Sequence, residues 1–253
     1  MTTTPFDFAT GEILLIDKPL GWTSFDCVGR IRGMLKLHFK LKLKVGHAGT
    51  LDPLATGLLV ICTGKFTKRI DEFQAQEKEY TGTFIVGATT PSFDLEKEID
   101  FHFPTEHISD EMIFDAAKKL TGTIQQSPPL FSAIKVDGLR SYKLARKGDD
   151  SVLPTREIVI REFEIRGIRR FVRSGGVENL IAVDFRVSCG KGTYIRSLAR
   201  DFGIELNSGA YLSELKRIRI GEFKIENAMT MEELGMKAVG KPGVFLPRER
   251  KER

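Results

Sequence analysis

The chain has 253 residues, of which 41% are hydrophobic and 29% charged, a balance that suits a globular enzyme with a sizeable core. No apolar run approaches the roughly 20 residues a membrane span needs, and the acid-bearing start lacks the basic-then-apolar order of a secretory signal, so the cytoplasm is the expected compartment. The net charge of +5 and pI near 9.0 permit a polyanionic partner. Cys27, Cys62 and Cys189 have no CxxC spacing, and the four histidines include no HExxH pattern, which argues against a disulfide framework and against a metal site.

In chain order, the run EILLIDKP predicts a strand stopped by Pro19 and a turn at Gly21. Ser24 is expected to cap a helix with Phe25, Val28, Ile31 and Leu35 on one face. The following LKLHFKLKLKV alternates, so an extended conformation would set Lys36, His38, Lys40, Lys42 and Lys44 opposite Leu37, Phe39, Leu41 and Leu43. Such a stripe suits either an edge strand guarded by lysines or a surface facing phosphates. Residues 45–64 read as a Gly- and Thr-rich loop feeding buried structure, and Tyr80 to Gly87 as a strand. Ser109 should cap a helix over 110–120 with Ile113, Ala116, Ala117 and Leu120 inward and Gly122 beyond its end. IVIREFEI and LIAVDFRVSC alternate as half-buried strands; a helix then carries Ile195, Leu198, Ala199 and Phe202 on its inner face, with Arg196 near the edge. Thr230 and Glu233 fit a capping box for a last short helix. Strands often follow strands directly, which predicts an α+β fold with a mainly antiparallel sheet.

The segment GHAGTLDPLATGLLVICTGKFTK, residues 46–68, is not a Walker loop. Six residues separate Gly57 from Gly64-Lys65, and Phe66 stands where a magnesium-binding hydroxyl is needed. Neither GxSxG nor GxGxxG occurs elsewhere. What remains is a single acid, Asp52, before Pro53 and among Gly46, Gly49 and Gly57. Proline biases Asp52 toward extended backbone, and the glycines allow close approach of a substrate or another strand.

The run HAGTLDPLATG resembles the catalytic motif of the TruB family of tRNA pseudouridine synthases. KPLGWTS, QSPPLFSAIKVDGLRSYKLARKG and SCGKGTYIRSLARDFG resemble that family's other blocks in the family's order, across roughly residues 11–220. The resemblance implies a pseudouridine synthase fold, α+β with a central, mainly antiparallel sheet flanked by helices and an RNA-binding cleft. It implies isomerisation of a T-loop uridine of tRNA, with Asp52 as the carboxylate acting at the ribose–uracil bond. Tyr80 corresponds to the base-stacking tyrosine, Arg196 to the arginine paired with the catalytic acid, and Tyr194 to its pocket neighbour. His47, Lys18 and Leu215 correspond to further substrate-pocket positions. These residue types suit such chemistry, since extruding a loop base costs a few kcal/mol, an aromatic platform returns about 1–3 kcal/mol, and a guanidinium keeps a carboxylate ionised. No cofactor and no metal is implied.

Contacts to the RNA backbone would draw on Lys36, Lys40, Lys42 and Lys44, on Arg140, Lys143, Arg146 and Lys147, and on Arg166, Arg169, Arg170 and Arg173. Residues 1–229 are expected to form the catalytic domain. Residues 230–253 are expected to add a short helix and a basic tail, too little for the C-terminal PUA domain of many family members. The expected partner is tRNA through its T-stem and loop, with no membrane or protein partner and a monomeric state. A guide-RNA-dependent synthase subunit and a tRNA-folding chaperone without required catalysis are the alternatives.

Overall fold

We describe the fold from a computed structural model, whose described residues are 6–129, 135–136, 139–140, 154–172 and 179–245. The chain divides into two compact units, one made of residues 1–76 with 216–253, the other of residues 77–215.

In the first unit, β1 (Ile13–Lys18) runs antiparallel to β3 (Ala55–Thr63), with Ile13 opposite Cys62 and Lys18 opposite Gly57. A short β2 (Val45–His47) pairs with the end of β3, setting His47 opposite Ile61. The near-continuous apolar run of β3 is explained by burial of both faces. Leu59 and Ile61 join Leu14 and Ile16 of β1 and Leu234 of the last helix, whereas Leu58, Val60 and Cys62 pack with Phe73 and Ile220. A 3-10 turn, a short α2 (Ile70–Ala75), the residues of β12 (Ala210–Ile220) from Lys216 onward, and β13 (Phe223–Lys224) follow.

Helix α1 (Ser24–His38) departs from the sequence expectation at both ends. Its cap is Thr23, whose hydroxyl accepts from the Asp26 amide while the Asp26 carboxylate accepts from the Thr23 amide. Ser24 is instead buried, and Phe25 points outward at 66% exposure, with the Arg32 guanidinium 5.9 Å from its ring. The inward face is Cys27, Val28, Ile31, Met34 and Leu35. Residues 36–38 are the helix's last turn, so the predicted strand over 36–44 does not form. Lys40 takes a left-handed φ of 57° and its ammonium donates to the Leu37 carbonyl. Only the second half of the stripe keeps its alternation: Lys40, Lys42 and Lys44 are exposed while Phe39, Leu41 and Leu43 pack against the core. Leu37 is 65% exposed.

In the second unit the strand order is β12, β4 (Lys78–Val86), β11 (Asn179–Cys189), β10 (Arg156–Val172) and β7 (Gly122–Gln126). The β4–β11, β11–β10 and β10–β7 pairings are antiparallel, and β10 carries irregularities near Glu162 and Gly167. Short pairs β5 (Ala88–Thr89) with β6 (Phe101–His102), and β8 (Lys135–Val136) with β9 (Leu139–Arg140), complete its strands. Phe84, Phe163, Phe185 and Phe202 gather in edge-on and tilted contacts, at centroid separations of 4.2–6.1 Å. Helix α3 (Asp110–Lys119) begins at Ser109, whose hydroxyl accepts from the Met112 amide. Helix α4 (Ile195–Glu205) buries Ile195, Leu198, Ala199 and Phe202 as its periodicity predicts. The α+β class with antiparallel pairing stands in both units, and α5 (Met231–Val239) in the first unit starts with the expected Thr230–Glu233 box. All three cysteines are buried thiols.

Candidate active site

Asp52 lies in the first unit, on the loop between β2 and β3. It opens a tight turn in which the Ala55 amide donates to the Asp52 carbonyl at 3.1 Å, with Pro53 at the second position, where its fixed φ suits the turn. The residue is half-buried, between buried Leu51 and exposed Leu54. Ser24 anchors the loop: its hydroxyl accepts from the Leu51 amide at 2.8 Å and donates to the Leu51 carbonyl at 3.1 Å. The Gly21 amide donates to the Pro53 carbonyl at 2.8 Å, tying on the turn after β1. Thus the KPLGWTS segment physically supports the Asp52 loop.

Lys18 ends β1 fully buried, and its ammonium donates to the carbonyls of Trp22, at 2.5 Å, and Pro19, at 3.0 Å. Burial pulls its pKa from 10.5 down to about 8, against the opposing charges of Cys27, Asp52 and Asp26. His47 ends β2. Burial and the Arg217 cation hold its imidazole below the ordinary value, with the Gly49 backbone pulling the other way, and its Nδ1 has no hydrogen-bond partner. Arg217, on β12, went unrecognised in the sequence; it donates to the Leu58 and Gly49 carbonyls around this loop. A cavity of about 580 Å³ is bordered by Lys18, Trp22, Thr56, Lys216, Met231 and Phe245.

In the second unit Tyr80 is the third residue of β4, opposite Val187 and 8% exposed. Arg196 sits in the first turn of α4 and is buried at 5% exposure, a correction to its expected place at the helix edge. Its Nη1 donates to the Ser92 carbonyl at 3.3 Å, and its Nε lies 3.6 Å from a carboxylate oxygen of Asp94, itself buried. Asp94 is the partner that sequence reading missed. Tyr194 caps α4 half-buried: its amide donates to the Gln126 side chain and its carbonyl accepts from it, while the Arg156 guanidinium lies 4.8 Å from its ring. Leu215 is a half-buried residue of β12.

Lys36, Lys40, Lys42 and Lys44 are exposed in the first unit. Arg140 ends β9, whereas Lys143, Arg146, Lys147 and Arg173 lie outside the described residues. Arg166, Arg169 and Arg170 each pair with a carboxylate, of Glu164, Asp184 and Asp110, at 2.9, 2.9 and 2.6 Å. Among the described residues no three His, Cys, Asp or Glu side chains cluster for a metal ion, and no helix is long and apolar enough to cross a membrane.

Residues 35–195 match the family described as TruB family pseudouridylate synthase (N terminal domain), and residues 196–240 match the tRNA pseudouridylate synthase B C-terminal domain. The chain belongs to the TruB family. It is 54% identical, over 228 residues, to a tRNA pseudouridine synthase B of Flavobacterium johnsoniae, covering 89% of this chain and 95% of the relative. A Parabacteroides distasonis protein of the same name is 54% identical over 229 residues, 90% of this chain and 93% of that one. Among solved structures, a Cbf5-Nop10-Gar1 complex aligns with a TM-score of 0.65 at 28% identity, covering 94% of this chain. The chain spans 59% of that structure's chain. Three of the four motif blocks fall on the Asp52 loop, the turn that supports it and the start of α4, while most of the fourth, residues 126–148, lies outside the described residues.

Proposed function

We propose that the chain is a tRNA pseudouridine synthase that isomerises uridine 55 of the T-loop, with Asp52 as the reacting carboxylate. The observation that carries this reading is Asp52 itself, a half-buried acid on a loop held by Ser24 and Gly21. In this reading the target base is everted from its stack, and the sugar–N1 bond breaks with Asp52 assisting at the sugar. The freed uracil turns, C5 bonds to the sugar, and the C5 proton is lost while N1 gains one. Atoms balance without oxidant or reductant. Tyr80 supplies an aromatic face for the base, and Arg196 supplies a cation whose place is fixed by Asp94 and Ser92. Lys18, His47, Tyr194 and Leu215 are each assigned to substrate binding, His47 with its basicity lowered by burial and by the Arg217 cation.

The lysines exposed at 36–44 are assigned to the RNA backbone, together with Arg140, Lys143 and Arg146, so affinity should fall steeply with salt. Residues 1–229 serve as the catalytic domain and 230–253 as an appended helix and tail, in a monomer that acts in the cytoplasm. The guide-dependent reading draws on the likeness to the Cbf5-Nop10-Gar1 complex, but identity of 28% there against 54% to tRNA pseudouridine synthase B supports the stand-alone activity.

The test is incubation of purified protein with an unmodified tRNA transcript, then carbodiimide labelling and primer extension. One stop at the T-loop uridine is expected, absent when that uridine is replaced by cytidine. Stops elsewhere, or none without an added guide RNA, would refute the reading.

A further inference from the structure

Arg217 heads the largest fully buried side chains among the described residues, at 1% exposure. Its Nε donates to the Leu58 carbonyl at 2.8 Å and its Nη2 to the Gly49 carbonyl at 3.1 Å. Those carbonyls bracket the loop bearing Asp52. The backbone of Arg217 is fixed as well, because Gly57, with φ of 98°, lies so close that an added Cβ would stand 2.3 Å from the Arg217 carbonyl oxygen. Among the described residues Arg217 makes no ion pair with a carboxylate.

That arrangement is costly for the fold. A buried cation held only by neutral carbonyls retains much of its desolvation penalty, and an apolar side chain of similar volume is often no worse for stability. What an apolar side chain could not do is hold two carbonyls at once in a planar fork. We propose that Arg217 is a positioning residue for the reaction: its guanidinium clamps Gly49, in the loop before Asp52, to Leu58, the fourth residue of β3 beyond it, and so fixes where the Asp52 carboxylate stands. The assignment rests on the reading of Asp52 as the reacting acid. Gly49 takes a φ of 95°, a conformation open to glycine, so without the clamp the loop has backbone freedom three residues from the acid. Displacement of a reacting group by about 1 Å costs on the order of a hundredfold in rate.

The experiment compares Arg217→Lys, Arg217→Met and Asp52→Asn in the full chain with the unmodified protein. Thermal unfolding, tRNA dissociation constant, single-turnover rate and the NMR titration of His47 are measured for each. Arg217→Lys should fold, bind tRNA within about threefold and turn over about 10- to 100-fold more slowly, because an ammonium reaches one carbonyl but not both in the fork. His47 should titrate near its original position in Arg217→Lys, where the cation remains, and at higher pH in Arg217→Met, where it is gone. A mere staple of the fold would lower the melting temperature and leave the turnover of folded molecules unchanged; that result overturns the proposal. Failure of Arg217→Lys to fold would assign the side chain to folding and overturn it equally. If Asp52→Asn keeps its turnover, the reading beneath fails; if Asp52→Asn is inactive while Arg217→Lys matches the unmodified protein, only the role of Arg217 fails.

Discussion

Lys18 gives the structure a pH signature. Burial lowers its pKa from 10.5 in the unfolded chain to about 8 in the folded one. Below pH 8 both states hold the proton, and the fold bears the full cost of the buried charge. Between 8 and 10.5 the unfolded state binds more protons than the folded one, so stability rises with pH. At about 1.4 kcal/mol per unit, that rise is on the order of 3 kcal/mol across the window. The buried thiols of Cys27 and Cys62 act in the opposite sense: burial raises each from 9.0 to about 11, so their contribution is lost as pH climbs above 9. The Lys18 ammonium also pulls the Cys27 thiol down, so Lys18→Met is compared with the unmodified Lys18 in a shared Cys27→Ala background, where the difference between the two proteins isolates the lysine. Urea unfolding followed by the fluorescence of Trp22, the single tryptophan and an acceptor of the Lys18 hydrogen bond, would be measured at pH 7.5, 9 and 10.5. In that background the protein with Lys18 should gain about 3 kcal/mol relative to Lys18→Met over that range. A difference that stays flat with pH would refute the argument that Lys18 is a desolvated ammonium.

Two glycines should respond differently to a methyl group. Gly57→Ala combines a positive φ with a contact of 2.3 Å to the Arg217 backbone, whereas Gly21, at φ 79°, has no atom within 4 Å of an added Cβ. Thermal unfolding should show a loss of about 1 kcal/mol for Gly21→Ala and clearly more for Gly57→Ala; equal losses would contradict the close strand approach. Arg196→Met leaves the buried Asp94 carboxylate without its cation and should destabilise by about 3–5 kcal/mol. Adding Asp94→Asn should recover part of that loss in a double-mutant cycle by urea unfolding, and strict additivity would contradict the pair.

Much of the scaffold was legible because its signals are local. Ser109 and the Thr230–Glu233 box read directly as helix starts, and the spacing of Ile195, Leu198, Ala199 and Phe202 gave the buried face of α4. Thr23 was passed over because Ser24 beside it is an equally good capping type, and its box closes with Asp26 rather than the commoner Glu or Gln. The stripe LKLHFKLKLKV misled for a different reason. Leucine and lysine are good helix formers, so α1 runs on through His38 before the chain turns at Lys40, and period-two spacing alone does not reveal that choice. Asp52 could be singled out because the run HAGTLDPLATG that carries it resembles the TruB catalytic motif; proline and three glycines alone would mark only a turn. Asp94 and Arg217 could not. Their partners, Arg196 and Gly49, lie 102 and 168 residues away in sequence, and a charged residue in a strand or loop looks solvated until the tertiary structure buries it.

The claim on which the account turns is that one carboxylate breaks and remakes the sugar–base bond. Single-turnover conversion of a T-loop uridine by Asp52→Asn, at enzyme concentrations saturating for tRNA, tests it directly, since the amide preserves size and the Ala55 turn but carries no charge. Unchanged tRNA affinity with no pseudouridine formed is the expected result; conversion at the unmodified rate would contradict the assignment.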